Sequence, residues 1–158
     1  MFAGGSITAK NIEQGQIGNC YFVASVCALA TNSGLLEDIF LTKEVNEAGV
    51  YAMRFYLNGQ ERLVVVDDFL PIDPKFDNSW NTLYPAFCRS KVRGEFWMCL
   101  LEKAWAKLHG SYGAIVSGTS NLVFLHLTNK PTQYIHHRDE DQPGTIGEEK
   151  RLDREGLW

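Results

Sequence analysis

A chain of 158 residues is long enough for one domain with a buried core, and 45% apolar with 22% charged residues is typical of a globular protein. The net charge of −4 gives no electrostatic basis for binding nucleic acid or an anionic membrane surface. No apolar run reaches the roughly 18 residues that a transmembrane segment requires, and the N-terminal stretch lacks the pattern of a secretory signal.

The first predicted helix covers residues 20–31 and follows a polar N-terminal segment that we expect to be extended or looped. Apolar side chains recur around much of its circumference, which is typical of a buried helix. Asn19 is suited to the N-cap position, and Gly18 suits the tight turn before it. A short second helix is predicted over residues 35–40.

A β-hairpin follows, because two strand-like runs flank Asn58-Gly59, the strongest short signal for a hairpin turn. Residues 73–93 show no steady period and are predicted to be mostly loop. The clearest helix lies in "GEFWMCLLEKAWAKLHG", where apolar residues recur at helical spacing and Gly110 occupies the position of a C-cap glycine. Beyond Asn129 the chain is highly charged and lacks periodicity.

The cysteines form neither a C-x-x-C pair nor a cluster with zinc-ligand spacing. They are Cys20, Cys27, Cys88 and Cys99. Cys20 and Cys27 would lie about 10 Å apart along one helix, which is too far for a disulfide bond. We therefore expect reduced thiols in an intracellular, cytoplasmic protein.

Cys20 lies at a predicted helix start, where free backbone N–H groups and the helix dipole lower the pKa of a thiol. Because a thiol attacks as its thiolate, this position suits a nucleophile. The backbone N–H of Cys20 and the side-chain amide of Gln14 could both donate hydrogen bonds to a developing oxyanion. The alternative is an ordinary core residue, since free cysteines are among the most buried residues.

Three blocks of the sequence resemble the calpain family in the family's own order. "QGQIGNCYFVASVCALA" is similar to the calpain nucleophile segment, and "RLVVVDDFLPID" to the strand that ends in Val-Asp-Asp-x-Leu-Pro. "EFWMCLLEKAWAKLHGSYGAI" is similar to the calpain Glu-Phe-Trp helix, and "LTNKPTQYI" is a weaker match. The resemblance covers residues 11–134 and favours Cys20 as a nucleophile.

The resemblance implies an α+β fold, namely the first lobe of a papain-like cysteine protease core, with a helical core and a small antiparallel sheet. Residues 1–134 would form this calpain-type lobe, and residues 135–158 a charged tail that is irregular or begins the second lobe. Cys20 would be the nucleophile and Gln14 the oxyanion-hole amide. The second lobe, which carries the general-base His and its orienting Asn in such enzymes, is expected to be missing.

None of the four histidines has the sequence context of the calpain general base. They are His109, His126, His136 and His137. We therefore predict structural or solvent-exposed roles for all four. Without an imidazole within hydrogen-bond reach, Cys20 lacks a general base and an acid for the leaving amine.

Calpain first lobes also bind calcium, and the resemblance implies a site in this chain. Glu95 matches the family's glutamate ligand, and Asn11 falls where the family has an aspartate. Gly4 and Ser6 would supply backbone carbonyls. Because calcium affinity follows the charge of its ligands, Asn11 is expected to weaken the site. Taken alone, Glu95 would be an acidic residue that favours the positive end of a helix dipole.

Two functions follow from the resemblance. The first is a calcium-dependent calpain-like endopeptidase that acts on protein substrates, represented here by its nucleophile lobe and inactive until a second lobe is supplied. The second is a non-catalytic calpain-like module that binds or regulates partners.

Overall fold

Four helices and two small antiparallel sheets form the described part of the chain, which a computed structural model gives as residues 2, 7–73, 75 and 84–135. The helices are α1 (Cys20–Leu29), α2 (Ser33–Glu37), α3 (Trp97–His109) and α4 (Ser120–Thr128). The strands are β1 (Ile12–Glu13), β2 (Val50–Leu57), β3 (Gln60–Asp67) and β4 (Arg89–Ser90). Strand β1 pairs with β4, and β2 pairs with β3. The predicted α+β architecture is confirmed.

The core centres on α3, whose two tryptophans are buried. Trp105 stacks on Phe22 of α1 with ring centroids 5.1 Å apart, and its Nε1–H donates to the hydroxyl of Tyr21 over 3.3 Å. Helix α1 therefore contacts α3 through this ring pair and this hydrogen bond. Along its length, however, α1 lies beside α4, a helix that the sequence pattern did not predict.

The predicted hairpin is present and its turn has the expected backbone conformation. Leu57 pairs with Gln60, and Asn58 and Gly59 have φ angles of 52° and 74°. Two successive residues with positive φ form the tight turn whose twist matches that of paired strands. Alternate side chains of β2 (Tyr51, Met53 and Phe55) are buried against the core.

Two short strands pair with each other, β1 in the segment expected to be extended or looped and β4 in a predicted loop. Ile12 pairs with Ser90 and Glu13 with Arg89, so the N-terminal segment is anchored to the chain just before α3. Two-residue strands have no periodicity to detect, and only the tertiary structure brings them together. Helix α4 was missed for a related reason, because its apolar residues are not confined to one face.

Helix ends differ from the prediction by a few residues. The second helix ends at Glu37 rather than Phe40, because Phe40 instead forms a bridge with Met53 of β2. Residues 136–158 lie outside the described residues, so the prediction of a charged tail stays a prediction. No helix in the described residues combines the length and apolar character needed to cross a membrane.

Candidate active site

A tight turn over residues 14–19 leads into α1 and is packed against the chain before β4. The backbone N–H of Gln16 donates to the carbonyl of Ala86 over 3.0 Å. A Cβ at Gly15 would collide with the backbone of Phe87, so only glycine allows this close approach. The turn is thereby held in place before the first residue of the helix.

Cys20 is the first residue of α1 and its side chain is exposed. Asn19 occupies the N-cap position, as predicted, but its side chain makes no capping hydrogen bond. Because the Asn19 side chain does not cap the N-terminal N–H groups, it leaves the positive end of the helix available to a thiolate at Cys20.

The other three cysteines are less accessible to a reactant than Cys20. Cys27 is half-buried, although a position in a core helix was expected to bury it fully. Its partial burial raises the pKa of its thiol. Cys88 and Cys99 are buried, and desolvation raises the pKa of Cys99 to about 12. Cys20 is the exposed thiol among the four.

Gln14, the predicted oxyanion-hole amide, lies at the other end of the turn. Its Nε2 donates to the carbonyl of Ile17 over 2.9 Å, which fixes the side chain along the turn. A primary amide carries two N–H donors, so one remains for a ligand. The structure thus gives Gln14 a defined orientation, and its role as an oxyanion donor stays a prediction.

A buried hydrogen-bonded pair supports the turn, and the sequence analysis did not single it out. Asn19 Nδ2 donates to Glu102 Oε1 over 2.6 Å, and the backbone N–H of Cys88 donates to Glu102 Oε2 over 2.9 Å. Burial raises the pKa of the Glu102 carboxyl, while these hydrogen bonds act in the opposite direction. Glu102 could have been found from the sequence, because it is a charged residue on the apolar face of a predicted helix.

The loop after α3 packs against the other side of the turn. The N–H of Ser117 donates to the carbonyl of Gly18 over 3.0 Å, and Ser117 has a φ of 67°. Tyr21 packs against Gly118 so closely that a Cβ there would collide with its ring. The exposed thiol therefore lies next to two ordered backbone segments.

The candidate calcium ligands lie on neighbouring segments. Glu95 is 5% exposed; its Oε2 accepts from Ser90 Oγ, while Oε1 is buried without a hydrogen bond. The backbone carbonyl of Asn11 accepts from the N–H of Lys91 over 2.8 Å, next to the β1–β4 pair. Gly4 and Ser6 lie outside the described residues.

The electrostatics around Glu95 are mixed. A cleft of about 570 Å³ is lined by Glu95 and Glu13, and also by Arg89, Lys91 and Arg93. Within the described residues, no three His, Cys, Asp or Glu side chains are grouped so as to hold a metal ion. The carboxylate oxygen of Glu95 that lacks a hydrogen bond could bind a cation, whereas the positive charges of the three basic side chains would repel it.

The two described histidines form a cluster with Trp105. The ring of His109 lies 4.3 Å from that of Trp105, and the rings of His109 and His126 stack 5.8 Å apart. Partial burial lowers the pKa of both, and the charge of His109 lowers that of His126 further. These contacts agree with the predicted structural role. His136 and His137 lie outside the described residues.

This histidine cluster predicts a loss of stability in acid. Because the fold lowers both pKa values, the contribution to stability is complete above the unfolded-state pKa of about 6.5 and is lost as pH falls through the folded-state values. In the His126→Gln variant, we expect the drop in Tm between pH 7.5 and pH 5.0 to shrink by roughly 2–5 °C. Differential scanning calorimetry measures this change.

Leu122→Gln is the control for that experiment, since Leu122 is exposed on the same helix and does not titrate. It should leave the pH dependence of Tm as in the unaltered protein. An equal Tm drop in the His126→Gln and unaltered proteins would contradict the prediction.

The fold and the geometry together define a class of protein. An α+β lobe whose helix begins at an exposed cysteine, after a glycine turn held by an amide side chain, is consistent with part of a papain-like cysteine protease core.

The chain belongs to the calpain family of cysteine proteases, since the family described as "Calpain family cysteine protease" matches residues 1–154. It is 36% identical over 134 residues to the calpain-type cysteine protease ADL1 of Oryza sativa subsp. japonica, covering 85% of this chain and 6% of the rice protein. It is 35% identical to DEK1 of Zea mays, with the same coverage. It is 37% identical over 137 residues to calpain-5 of Caenorhabditis elegans, covering 82% of this chain and 20% of calpain-5. The chain thus spans only a small part of these relatives.

Proposed function

We propose that this chain provides the nucleophile lobe of a calpain-like cysteine endopeptidase that cleaves protein substrates. The observation that carries the proposal is the exposed thiol of Cys20 at the start of α1, behind a turn fixed by packing and hydrogen bonds. The membership of the chain in a cysteine protease family supports the same chemistry.

The proposed reaction begins when the Cys20 thiolate attacks the carbonyl carbon of a peptide bond. The carbonyl oxygen then gains negative charge, which the N–H of Cys20 and the free amide N–H of Gln14 would stabilise. The intermediate collapses to an acyl-enzyme when the leaving amine takes a proton. Water then hydrolyses the acyl-enzyme and regenerates the thiol.

The proton transfers require a group that the described residues do not place at Cys20. His109 and His126 are engaged with Trp105 and with each other. We therefore infer that a second lobe supplies the general base. Helix α1 offers it a surface, because Cys20, Ala24 and Ala28 are exposed one turn apart along the same face.

A peptidase assay on three proteins tests this function. Residues 1–158 alone should show no useful cleavage of casein, even with excess calcium. The same chain joined to, or mixed with, a calpain-type second lobe carrying His and Asn should cleave it, and Cys20→Ser in that assembly should abolish cleavage. Turnover that survives Cys20→Ser would refute the proposal, and an inert assembly would favour the non-catalytic module.

We propose that Glu95 Oε1 and the side-chain oxygen of Asn11 would hold a calcium ion. Gly4 and Ser6 would contribute backbone carbonyls. Bound there, calcium would offset the carboxylate charge and tie the N-terminal segment to the start of α3. The unpaired Oε1 of Glu95 supports this assignment. The neutral amide of Asn11 and the nearby basic residues argue for weak binding.

Isothermal titration calorimetry should give a calcium Kd of about 0.1–1 mM for the unaltered chain. Asn11→Asp adds a negative ligand and should tighten binding, and Glu95→Gln should remove it. Glu61→Gln, which changes an exposed carboxylate paired with Arg54, serves as the charge-matched control and should leave the Kd unchanged. Equal affinity in the Asn11→Asp and unaltered chains would show that Asn11 is not a ligand.

A reducing, intracellular compartment is part of the proposal. All four cysteines are free thiols in the structure, and the proposed nucleophile needs a reduced sulfur.

A further inference from the structure

We infer that Glu102 is a positioning residue for Cys20 and acts through the side chain of Asn19. The inference rests on the proposed function, because it concerns the geometry of the same nucleophile. Glu102 lies on α3 and Asn19 immediately precedes Cys20, so the pair joins two elements that are 83 residues apart in sequence.

The pair is deeply buried and well connected. Asn19 is 0% exposed and Glu102 is 1% exposed. Each oxygen of the carboxylate accepts a hydrogen bond, Oε1 from Asn19 Nδ2 and Oε2 from the N–H of Cys88. Because a buried carboxylate loses its hydration, these two donors are what makes its charged form tolerable at this position.

Asn19 transmits this constraint directly to the helix start. Its backbone carbonyl accepts hydrogen bonds from the N–H groups of Phe22 and Val23, over 2.9 and 3.2 Å. The same residue is therefore fixed to α3 by its side chain and to the first turn of α1 by its main chain. Cys20 lies between these anchored points.

The hydrogen bond to Glu102 also keeps the Asn19 side chain from capping α1. An asparagine at an N-cap ordinarily accepts a hydrogen bond from the second or third helical N–H. Here the amide is turned towards Glu102 and makes no cap, while Asn19 Oδ1 stays buried without a partner. The arrangement forgoes a capping bond and leaves the helix N-terminus free to act on the Cys20 thiolate.

The alternative is that the Asn19–Glu102 hydrogen bond only stabilises the fold. Breaking it would then lower the stability of the protein but leave the reactivity of Cys20 in the folded protein unchanged. If Glu102 acted only as a nearby negative charge, it would oppose the formation of a thiolate, and its removal would speed the alkylation of Cys20. The positioning role alone predicts slower alkylation.

The experiment measures the pH dependence of Cys20 alkylation by iodoacetamide in the 158-residue chain. Mass spectrometry of a chymotryptic digest separates Cys20 from Cys27, because cleavage occurs at Tyr21 and Phe22. The variants are Asn19→Ala, Asn19→Ser, Glu102→Met, which keeps the length of the side chain but removes the acceptor oxygens, and the double variant Asn19→Ala with Glu102→Met. Met53→Ala is the control, since it removes a fully buried side chain from β2 without changing the turn.

Each single variant should react about 3–10-fold more slowly at pH 7, with the midpoint of its pH profile moved upward. The double variant should be no slower than the slower single variant, because both changes break one connection. Met53→Ala should lower Tm and leave the profile of Cys20 unchanged. Should Glu102→Met fail to fold, as judged by near-ultraviolet circular dichroism, the two Asn19 variants decide alone.

An unchanged or lowered midpoint in the folded variants, or additive effects in the double variant, would overturn the positioning role. That result differs from failure of the proposed function, in which Cys20 of the unaltered chain would react no faster than Cys27. Fast labelling of unaltered Cys20 together with unaffected variants would retain the nucleophile and remove Glu102 from its support.

Discussion

Replacing Gln14 by Ala is expected to lower kcat by about 100–1,000-fold in the lobe-complemented protein, with little change in KM. The amide of Gln14 is held by its hydrogen bond to Ile17 and keeps a second N–H donor free. That donor would meet the carbonyl oxygen only as negative charge develops, so its loss raises the barrier more than it weakens substrate binding.

Gln16→Ala is the matched control, because Gln16 lies in the same turn but directs its side-chain amide to Asp73. It should retain kcat within a few-fold. Steady-state kinetics with a fluorogenic peptide separate the two variants. Equal losses for both would mean that the turn, and not the Gln14 amide, is what the reaction needs.

Replacing Trp105 by Ala is expected to destabilise the lobe by about 3–5 kcal/mol. Trp105 is 1% exposed and stacks on Phe22, with ring centroids 5.1 Å apart. It also lies near Phe55 and donates to the hydroxyl of Tyr21. The substitution therefore leaves a cavity where α1, α3 and β2 meet and removes a hydrogen bond next to Cys20.

Urea denaturation followed by circular dichroism measures that loss. Leu63→Ala, which shortens a side chain that is 60% exposed on β3, should change the unfolding free energy by less than about 0.5 kcal/mol. A Trp105→Ala protein with a free energy of unfolding close to that of Leu63→Ala would contradict the central place of Trp105 in the core.

The sequence predicted the elements whose cause is local. The Asn58-Gly59 turn and the two runs beside it specify the hairpin, because the backbone conformation and the strand pairing depend on neighbouring residues. The helical periodicity around Trp105 predicts α3 for the same reason. The local pattern at Cys20 suited a nucleophile but left a core residue as the alternative, and the resemblance to calpains favoured the nucleophile.

What the sequence did not predict depends on contacts between distant segments. Strand β4 exists only because Arg89 and Ser90 meet β1, more than 70 positions earlier in the chain. The side chain of Asn19 matched the N-cap preference, yet Glu102 on α3 draws it away from the helix. A local propensity of this kind is overridden when a buried carboxylate needs a donor.

The reactivity of Cys20 relative to Cys27 tests the central claim most directly. Both thiols lie on α1, but Cys20 is exposed at the positive end of the helix, whereas Cys27 is half-buried with a raised pKa. Iodoacetamide at pH 7, with peptide mapping over time, gives the alkylation rate constant of each. We predict that Cys20 reacts faster than Cys27 and Cys99; an equal or slower rate at Cys20 would contradict its assignment as the nucleophile.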